Sequence, residues 1–228
     1  MTRKSPLPVR TLLVSDVHLG CKHARTDEFF EFIQRYQPQT LYLVGDVFDA
    51  WKINSGWHWP EHCDRIVKHL VDLFESGTKI LYTPGNHDSF LRHESTRHLL
   101  PAGLPNIVIE DEFVFETKGG WRFLVTHGDL FDFFETKAQW ISKGSSGLYD
   151  ACLSLNRWIH RRFLGEQRNP YGACATIKGS VKRGVKFISR FENKIMNHAA
   201  ARQCDGVICG HIHTPVLKQS DSVLSCNT

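Results

Sequence analysis

Short apolar runs alternate with helical patterns over the first part of the chain. The runs Thr11–Ser15, Leu41–Val44 and Lys79–Tyr82 have the length and composition of buried strands. Between them, apolar residues recur at helical spacing from Phe29 to Tyr36 and again from Glu61 to Glu75. This strand–helix alternation is typical of a mostly parallel sheet covered by helices, so the pattern predicts an α/β fold.

After Asn106 the pattern changes to short strands with few residues between them. Ile107–Ile109, Phe113–Phe115 and Trp121–Val125 are short apolar runs, and Lys118–Gly120 is typical of a hairpin turn. These runs predict an antiparallel group of strands. Further strands are expected at Gly206–Cys209, Val216–Lys218 and Val223–Leu224.

A basic, helical segment interrupts this second group of strands. Apolar positions step by three or four residues from Leu148 to Phe163 and from Ile177 to Ile195. Between Phe133 and Arg202 we count 13 Lys and Arg against four acids, a local charge of +9, which leaves −5 for the rest of a chain of net charge +4. We therefore expect a single domain over residues 1–228 with a basic helical cap inserted at 130–204. Lys178, Lys182 and Arg183 of the cap are candidate substrate contacts.

Composition narrows the class of protein. With 228 residues and 41% hydrophobic content, the chain suits a soluble globular domain. No run approaches the ~18 apolar residues of a transmembrane helix, and the apolar stretch near the N-terminus is too short for a signal peptide. The seven cysteines are odd in number and form no Cys-x-x-Cys pair, which favours reduced thiols in a cytoplasmic protein.

Five short polar blocks come at or just after the ends of apolar strands. They are Asp16-Val17-His18, Gly45-Asp46-Val47-Phe48-Asp49, Gly85-Asn86-His87-Asp88, His127-Gly128-Asp129 and Gly210-His211-Ile212-His213. Because the carboxyl ends of strands line the ligand crevice of an α/β sheet, the blocks are expected to meet there. Carboxylates and imidazoles without cysteine suit small divalent transition metals. Asp46 is well placed to bridge two ions, with one oxygen to each.

A single block of this kind is common by chance, but five in this order are not. The set resembles the signature of the calcineurin-like metallophosphoesterase superfamily: Asp-x-His, Gly-Asp-x-x-Asp, Gly-Asn-His-Asp, His and Gly-His-x-His. The resemblance extends from Thr11 to His213 and fills every ligand position. It implies a four-layer αββα sandwich, two β-sheets between helical layers, that carries the helical cap insertion.

The resemblance also implies two divalent metal ions. One ion would be bound by Asp16, His18, Asp46 and His213, and the other by Asp46, Asn86, His127 and His211. Mn²⁺ is expected, and Fe and Zn²⁺ are alternatives. Such a pair can hold a bridging water as hydroxide and draw phosphate oxygens into line for its attack.

His87 is the candidate to protonate the leaving oxygen or to stabilise the charged transition state, and with Asn86 it is a candidate substrate contact. Asp88 is expected to orient the His87 ring. Asp49 and Asp129 are interpreted as residues that support the turns or the ligands.

A narrower likeness is to the UDP-2,3-diacylglucosamine hydrolases. It is carried by Gly45–Trp51 and by the helical insertion between the fourth and fifth blocks. This likeness implies hydrolysis of the diphosphate of a lipid A precursor, a nucleotide-sugar lipid, by a cytoplasmic enzyme in peripheral contact with the anionic inner membrane surface. In that group the third block reads Gly-Asn-Arg-Asp, so an arginine stands where this chain has His87. The difference indicates a related branch of the UDP-2,3-diacylglucosamine hydrolases.

Other functions stay open at this point. The same core serves phosphomonoesterases and cyclic-nucleotide phosphodiesterases, although a small substrate would not need a basic, aromatic-bearing cap. A nuclease is less favoured, because the aromatic residues of the cap do not interleave regularly with its cations. A non-catalytic scaffold is disfavoured because no metal ligand is missing. No obligate protein partner is expected.

Overall fold

A computed structural model describes residues 5–53, 56–101, 104, 107–132, 191–213, 216–220 and 223–227. Contacts divide the chain into two units, one formed by Met1–Asp129 with Met196–Thr228 and the other by Leu130–Ile195. Most of the predicted cap, including Lys178, Lys182 and Arg183, lies outside the described residues. Within the described part, no helix has the length and apolar character needed to cross a membrane.

The first sheet is entirely parallel. It contains β1 (Leu7–Val14), β2 (Tyr36–Val44), β3 (Lys79–Thr83) and β4 (Val108–Ile109), in that order. The helices α1 (Thr26–Ile33) and α2 (Glu61–Glu75) connect its first three strands. The helix predicted to continue to Tyr36 ends earlier, and the strand predicted to begin the antiparallel group, β4, instead pairs in parallel with β3.

Pro38 lies inside β2, opposite Val9 of β1, although a proline is unusual within a sheet. The carbonyl of Pro38 accepts a hydrogen bond from the Thr78 hydroxyl on the side of β2 that faces β3. The pairing of β2 with β3 begins only at Thr40, so no described strand lies beside Pro38 on that side. A proline is tolerated there because its missing N–H has no neighbouring strand to bond.

The second sheet is mixed. It contains β5 (Glu112–Glu116), β6 (Arg122–Thr126), β7 (Gly206–Cys209), β8 (Val216–Ser220) and β9 (Val223–Asn227), in the order β5-β6-β7-β9-β8. The predicted hairpin is confirmed by β5 and β6, which are antiparallel. However, β6, β7 and β9 run parallel. A long inserted segment separates β6 from β7, and such a connection permits parallel pairing where a tight turn would not.

The two sheets pack face to face. Buried side chains of the first sheet, Tyr42 and Leu81, form one cluster with Val125 of the second. The ring of Tyr42 meets Phe113 and Phe115 of β5 at centroid distances of 5.9 and 6.0 Å. On the other side of the first sheet, α1 and α2 are part of the main core cluster. The predicted α/β class with two packed sheets is therefore confirmed.

A further helix, α3 (residues 191–201), precedes β7. Near its end, the His198 ring donates Nε2–H to the Glu112 carboxylate of β5 at 2.7 Å, and Arg202 pairs with the same carboxylate. These contacts tie the return of the chain from the insertion to the edge of the second sheet.

The strand ends explain where the polar blocks meet. The five strands that end at Val14, Val44, Thr83, Thr126 and Cys209 are each followed by one block. In the first sheet β1, β2 and β3 are parallel, and in the second sheet β6 and β7 are parallel. Within each sheet the carboxyl ends of these strands therefore lie at one edge, which brings together blocks that are distant in sequence.

Candidate metal centre

Backbone hydrogen bonds join the loops that carry the blocks. In the first and second blocks, the N–H of Asp16 donates to Gly45 O at 3.1 Å and the N–H of His18 donates to Asp46 O at 2.9 Å. In the fourth and fifth blocks, the N–H of Gly210 donates to His127 O at 3.1 Å. The backbone therefore joins the first loop to the second and the fourth loop to the fifth at the strand ends.

One group of candidate ligand atoms lies around Asp16. Asp16 Oδ1 lies 3.3 Å from His213 Nε2 and 4.0 Å from His18 Nε2. The two imidazole nitrogens are 3.4 Å apart. His18 Nε2 is also 3.9 Å from Asp46 Oδ2. These are the four residues predicted to hold one ion.

A second group gathers around Asn86. Asn86 Oδ1 lies 3.3 Å from His127 Nε2 and 3.2 Å from His211 Nδ1. His127 Nε2 is 3.3 Å from Asp46 Oδ2. The Nδ1–H of His127 donates to the carbonyl of Val44 at 3.0 Å, so its other nitrogen, Nε2, is directed toward Asp46 and Asn86. A backbone partner on one ring nitrogen is the usual arrangement of a histidine that ligates a metal through the other.

Asp46 belongs to both groups. Its Oδ2 faces His18 on one side and His127 on the other, whereas its Oδ1 accepts a hydrogen bond from the backbone N–H of His87 at 2.8 Å. Asp46 was expected to offer one carboxylate oxygen to each ion. In the structure the same oxygen, Oδ2, faces both groups of candidate ligands. The backbone of His87 holds the other oxygen in place.

The spacing of these donors fits metal ions. Two donors each ~2.1 Å from one ion in tetrahedral geometry are about 3.4 Å apart. The closest pairs of candidate ligand atoms within the two groups are separated by 3.2–3.4 Å. The donor set of carboxylate, imidazole and amide oxygen is also one that Mn²⁺, Fe or Zn²⁺ accepts.

Strained backbone marks the same residues. Asp16, His18, Asp46, His211 and His213 have φ between 46° and 74°, the left-handed region that residues with a Cβ rarely adopt. Gln203 is the one other described non-glycine residue there. Such conformations cost about 1–3 kcal/mol each and cluster at functional sites.

Two glycines make room for the carboxylates. A Cβ on Gly85 would lie 2.2 Å from Asp46 Oδ1, and a Cβ on Gly210 would lie 2.3 Å from Asp16 Oδ2. Each carboxylate therefore rests directly on a backbone that has no room for a side chain. This close approach explains why glycine stands at these two block positions.

Burial and the attraction between neighbouring charges set the protonation of the candidate metal ligands. Burial lowers the pKa of His18 to about 4, which keeps its imidazole neutral, the form that binds metal. Burial opposes charge on Asp46 and His127 as well, but their mutual attraction outweighs it. The pKa of Asp46 is therefore held well below its ordinary range, and that of His127 is raised to about 10. Bound metal would replace the proton between them.

His87 lies beside the first group of ligands. Its Nδ1–H donates to Asp49 Oδ1 at 2.7 Å, and the indole of Trp51 stacks on its ring at a centroid distance of 4.0 Å. The edge of the His18 ring meets it at 4.6 Å. The position of the His87 ring is thus defined by Asp49, Trp51 and His18.

Asp88 does not orient this ring, so that expectation is wrong. Its carboxylate is fully buried and accepts hydrogen bonds from the Tyr82 hydroxyl, from the N–H of Gly85 at 2.6 Å and from the N–H of Val47 at 2.8 Å. Asp88 therefore braces the third block against the second. The partner of the His87 ring is instead Asp49, 38 positions away in the sequence.

Comparison with known proteins decides the family. The family model described as calcineurin-like phosphoesterase matches residues 9–215, most of the chain. The protein belongs to the calcineurin-like phosphoesterase family. The family predicted from the five blocks is therefore confirmed, and its membership supports the predicted class of metal-dependent hydrolase.

Curated relatives of this calcineurin-like chain are named UDP-2,3-diacylglucosamine hydrolase. The protein from Stenotrophomonas maltophilia (strain R551-3) is 34% identical over 123 residues, which cover 53% of this chain and 46% of the relative. The protein from Escherichia coli O127:H6 is 24% identical over 219 residues, 92% of this chain and 84% of the relative. The first match thus spans about half the length of that relative.

Solved structures of low identity also align with the chain. The phosphopantetheinyl hydrolase of Mycobacterium tuberculosis aligns with a TM-score of 0.47 and 15% identity, over 98% of this chain and 89% of the other. An archaeal phosphodiesterase aligns with a TM-score of 0.42 and 16% identity, over 96% and 82% of the two chains.

Proposed function

We propose that this protein is a two-metal phosphoesterase that hydrolyses a phosphoester or diphosphate. Asp16, His18, Asp46 and His213 would hold one ion, and Asp46, Asn86, His127 and His211 the other. The observation that carries the proposal is the position of Asp46 Oδ2, 3.9 Å from His18 Nε2 and 3.3 Å from His127 Nε2. A buried carboxylate between two sets of ligands is suited to bridge two cations.

The two ions, once bound, would supply a hydroxide nucleophile and polarise the phosphoryl oxygens. The chain itself supplies the proton chemistry on the leaving side. Asp49 accepts the Nδ1–H of His87 and stabilises the protonated ring, whose Nε2–H can then be donated to the leaving oxygen. Trp51 stacks on the ring and restricts its rotation. Asn86 and His87 are the proposed contacts to the phosphoryl group.

The substrate we favour is the diphosphate of a nucleotide-sugar lipid similar to UDP-2,3-diacylglucosamine. The names of the relatives support it. The basic charge between Phe133 and Arg202 also suits an anionic substrate, with Lys178, Lys182 and Arg183 as proposed contacts. With this substrate we further propose Mn²⁺ as the metal, and a cytoplasmic location in peripheral contact with the anionic inner membrane.

His87 favours a second candidate, a phosphodiester or phosphomonoester with a poorer leaving group. An arginine offers a fixed positive charge, whereas a histidine paired with a carboxylate can also give up a proton. Esters of alkyl alcohols, among them cyclic nucleotides and nucleic acids, gain more from protonation than a diphosphate does.

A substrate panel with Mn²⁺ separates these candidates. It contains UDP-2,3-diacylglucosamine, a UDP-sugar without acyl chains, p-nitrophenyl mono- and diesters, a cyclic nucleotide and an oligonucleotide, with products identified by phosphorus NMR. Hydrolysis of the acylated diphosphate in preference to the others supports the favoured substrate. Preference for an alkyl ester supports the second candidate. If the protein hydrolyses none of these compounds, the proposal of an enzyme is wrong and a non-catalytic scaffold is favoured.

A further inference from the structure

Arg92 holds the loop that carries Asn86. It ends a short 3-10 helix, Ser89–Arg92, and its side chain is only 19% exposed. The guanidinium donates Nη2–H to the carbonyl of Pro84 at 2.7 Å and Nη1–H to the carbonyl of Gly85 at 3.5 Å. The segment after the third block thus folds back onto the two residues that precede Asn86.

The same guanidinium also holds the loop that carries His127. Its Nη2 donates to Asp129 Oδ1 at 2.9 Å, and Asp129 is a buried residue two positions after His127. The Nε–H donates to the more exposed Asp111 at 2.8 Å. One planar group therefore joins the third block to the fourth. The fixed geometry of the guanidinium makes such a bridge stiff.

The peptide that Arg92 grips is closely packed against metal ligands. The N–H of Gly85 donates to Asp88 at 2.6 Å, while its carbonyl faces Arg92. A Cβ at Gly85 would lie 2.2 Å from Asp46 Oδ1 and 2.7 Å from His127 Cδ2. A small shift of this peptide would therefore change the separation of Asn86 from His127.

We infer that Arg92 is a positioning residue for the second ion, the one proposed to bind Asn86 and His127. Arg92 does so because it sets the 3.3 Å separation of Asn86 Oδ1 and His127 Nε2. The inference rests on the proposed two-metal function. The hydrogen bonds of Arg92 among the described residues go to the loops of Asn86 and His127 and to Asp111. The ion held by Asp16, His18 and His213 should therefore be affected far less than the second ion.

Calorimetric titration of the metal-free protein with Mn²⁺ tests this inference. Arg92→Met keeps the approximate length of the side chain and removes its hydrogen-bond donors. The affinity for the second ion should then fall roughly 10–100-fold, while the affinity for the first ion is unchanged. Arg92→Lys keeps the charge without the planar fork and should recover only part of the loss. Activity of Arg92→Met should be low at limiting Mn²⁺ and return as Mn²⁺ is raised, with KM nearly constant.

Leu70→Val is the matched control for a purely structural effect. It trims a fully buried side chain of α2, so it should lower the melting temperature and leave both ion affinities intact. If Arg92→Met also lowers the melting temperature but binds both ions as tightly as the unchanged protein, the inference is wrong and the proposed function stands. If the unchanged protein binds fewer than two ions, the proposed function fails and the inference fails with it.

A variant of the partner carboxylate covers the case in which Arg92→Met does not fold. Asp129→Asn removes the charge that Arg92 binds and keeps the size of the side chain. We expect the same selective loss of the second ion. Equal affinity of Asp129→Asn and the unchanged protein for both ions would count against the inference.

Discussion

The imidazole of His87 donates its Nδ1–H to the carboxylate of Asp49 at 2.7 Å, although the two residues are 38 positions apart. Trp51 covers one face of the ring, and Asp49 is almost completely buried. The pair lies beside His18, one of the proposed metal ligands. It is the part of the site best suited to move a proton.

Replacement of Asp49 should therefore slow catalysis without removing the metals. We expect Asp49→Asn and His87→Ala each to lower kcat by roughly 10²-fold or more, since a positioned general acid contributes about that much. The double variant should be little worse than either single one, because the two residues act as a unit. Steady-state kinetics with saturating Mn²⁺ measures all three.

An aspartate–histidine pair outside the site is a suitable control for the Asp49 variants. Asp27 Oδ1 lies 3.1 Å from His62 Nδ1 between α1 and α2. Asp27→Asn should leave kcat unchanged. Additive losses in the double variant at Asp49 and His87 would contradict their joint role.

Glycine at position 85 should be indispensable. A methyl group at Gly85 would push on Asp46, so Gly85→Ala should displace the proposed bridging carboxylate and lower activity by about 10²-fold or more. Gly210→Ala should displace Asp16 and weaken mainly the first ion. Metal content measured by mass spectrometry and activity check both variants.

Gly119→Ala is the matched control, because its new methyl group would meet nothing closer than 3.5 Å in the hairpin turn. It should change neither metal content nor activity. Full metal content and activity in Gly85→Ala would show that the cradle of Asp46 is less tight than the structure indicates.

The first sheet and the position of the site were open to prediction from sequence, because both depend on local patterns. Strands such as Leu41–Val44 are marked by apolar runs, and the blocks follow them directly. The limits of prediction are non-local. A proline such as Pro38 locally favours the end of a helix. Pro38 nevertheless lies in β2, because β3 pairs with β2 only from Thr40 onward and the missing N–H of the proline faces no described strand.

The finer structure of the site depends on contacts between distant segments. Asp88 is next to His87 in sequence and was expected to orient its ring, whereas the ring turns to Asp49 and Asp88 turns inward to Tyr82. The position of Arg92 is not marked by any local pattern, because its partner Asp129 lies 37 positions away in the sequence. No periodicity in the chain marks contacts of this kind.

Removal of the metals should destabilise the protein. The proposed ions would bind only the folded ligand set, so at 100 times the dissociation constant one ion adds about 2.7 kcal/mol to the free energy of unfolding. Treatment with a chelator should therefore lower the melting temperature, and Mn²⁺ should restore it. A melting temperature that is the same with and without metal would contradict a folded two-ion site.

The stability of the metal-free protein should also depend on pH. Burial lowers the pKa of His127, but the attraction of Asp46 outweighs it and raises that pKa from 6.5 to about 10. The stability that this shift of His127 contributes is fully present below pH 6.5 and is lost as pH rises toward 10. Bound metal replaces the proton, so the loaded protein should lose less stability over this range. The gap in melting temperature between the two forms should widen from pH 6.5 to pH 9. A gap that narrows would contradict the Asp46–His127 pairing.

The position of Asp46 between two sets of ligands is tested most directly by electron paramagnetic resonance of the Mn²⁺-loaded protein. We predict an exchange-coupled signal from two Mn²⁺ ions per chain in the unchanged protein, and its disappearance in Asp46→Ala together with activity. The retention of two coupled ions in Asp46→Ala, or only the signal of isolated Mn²⁺ in the unchanged protein, would contradict the bridged two-metal site.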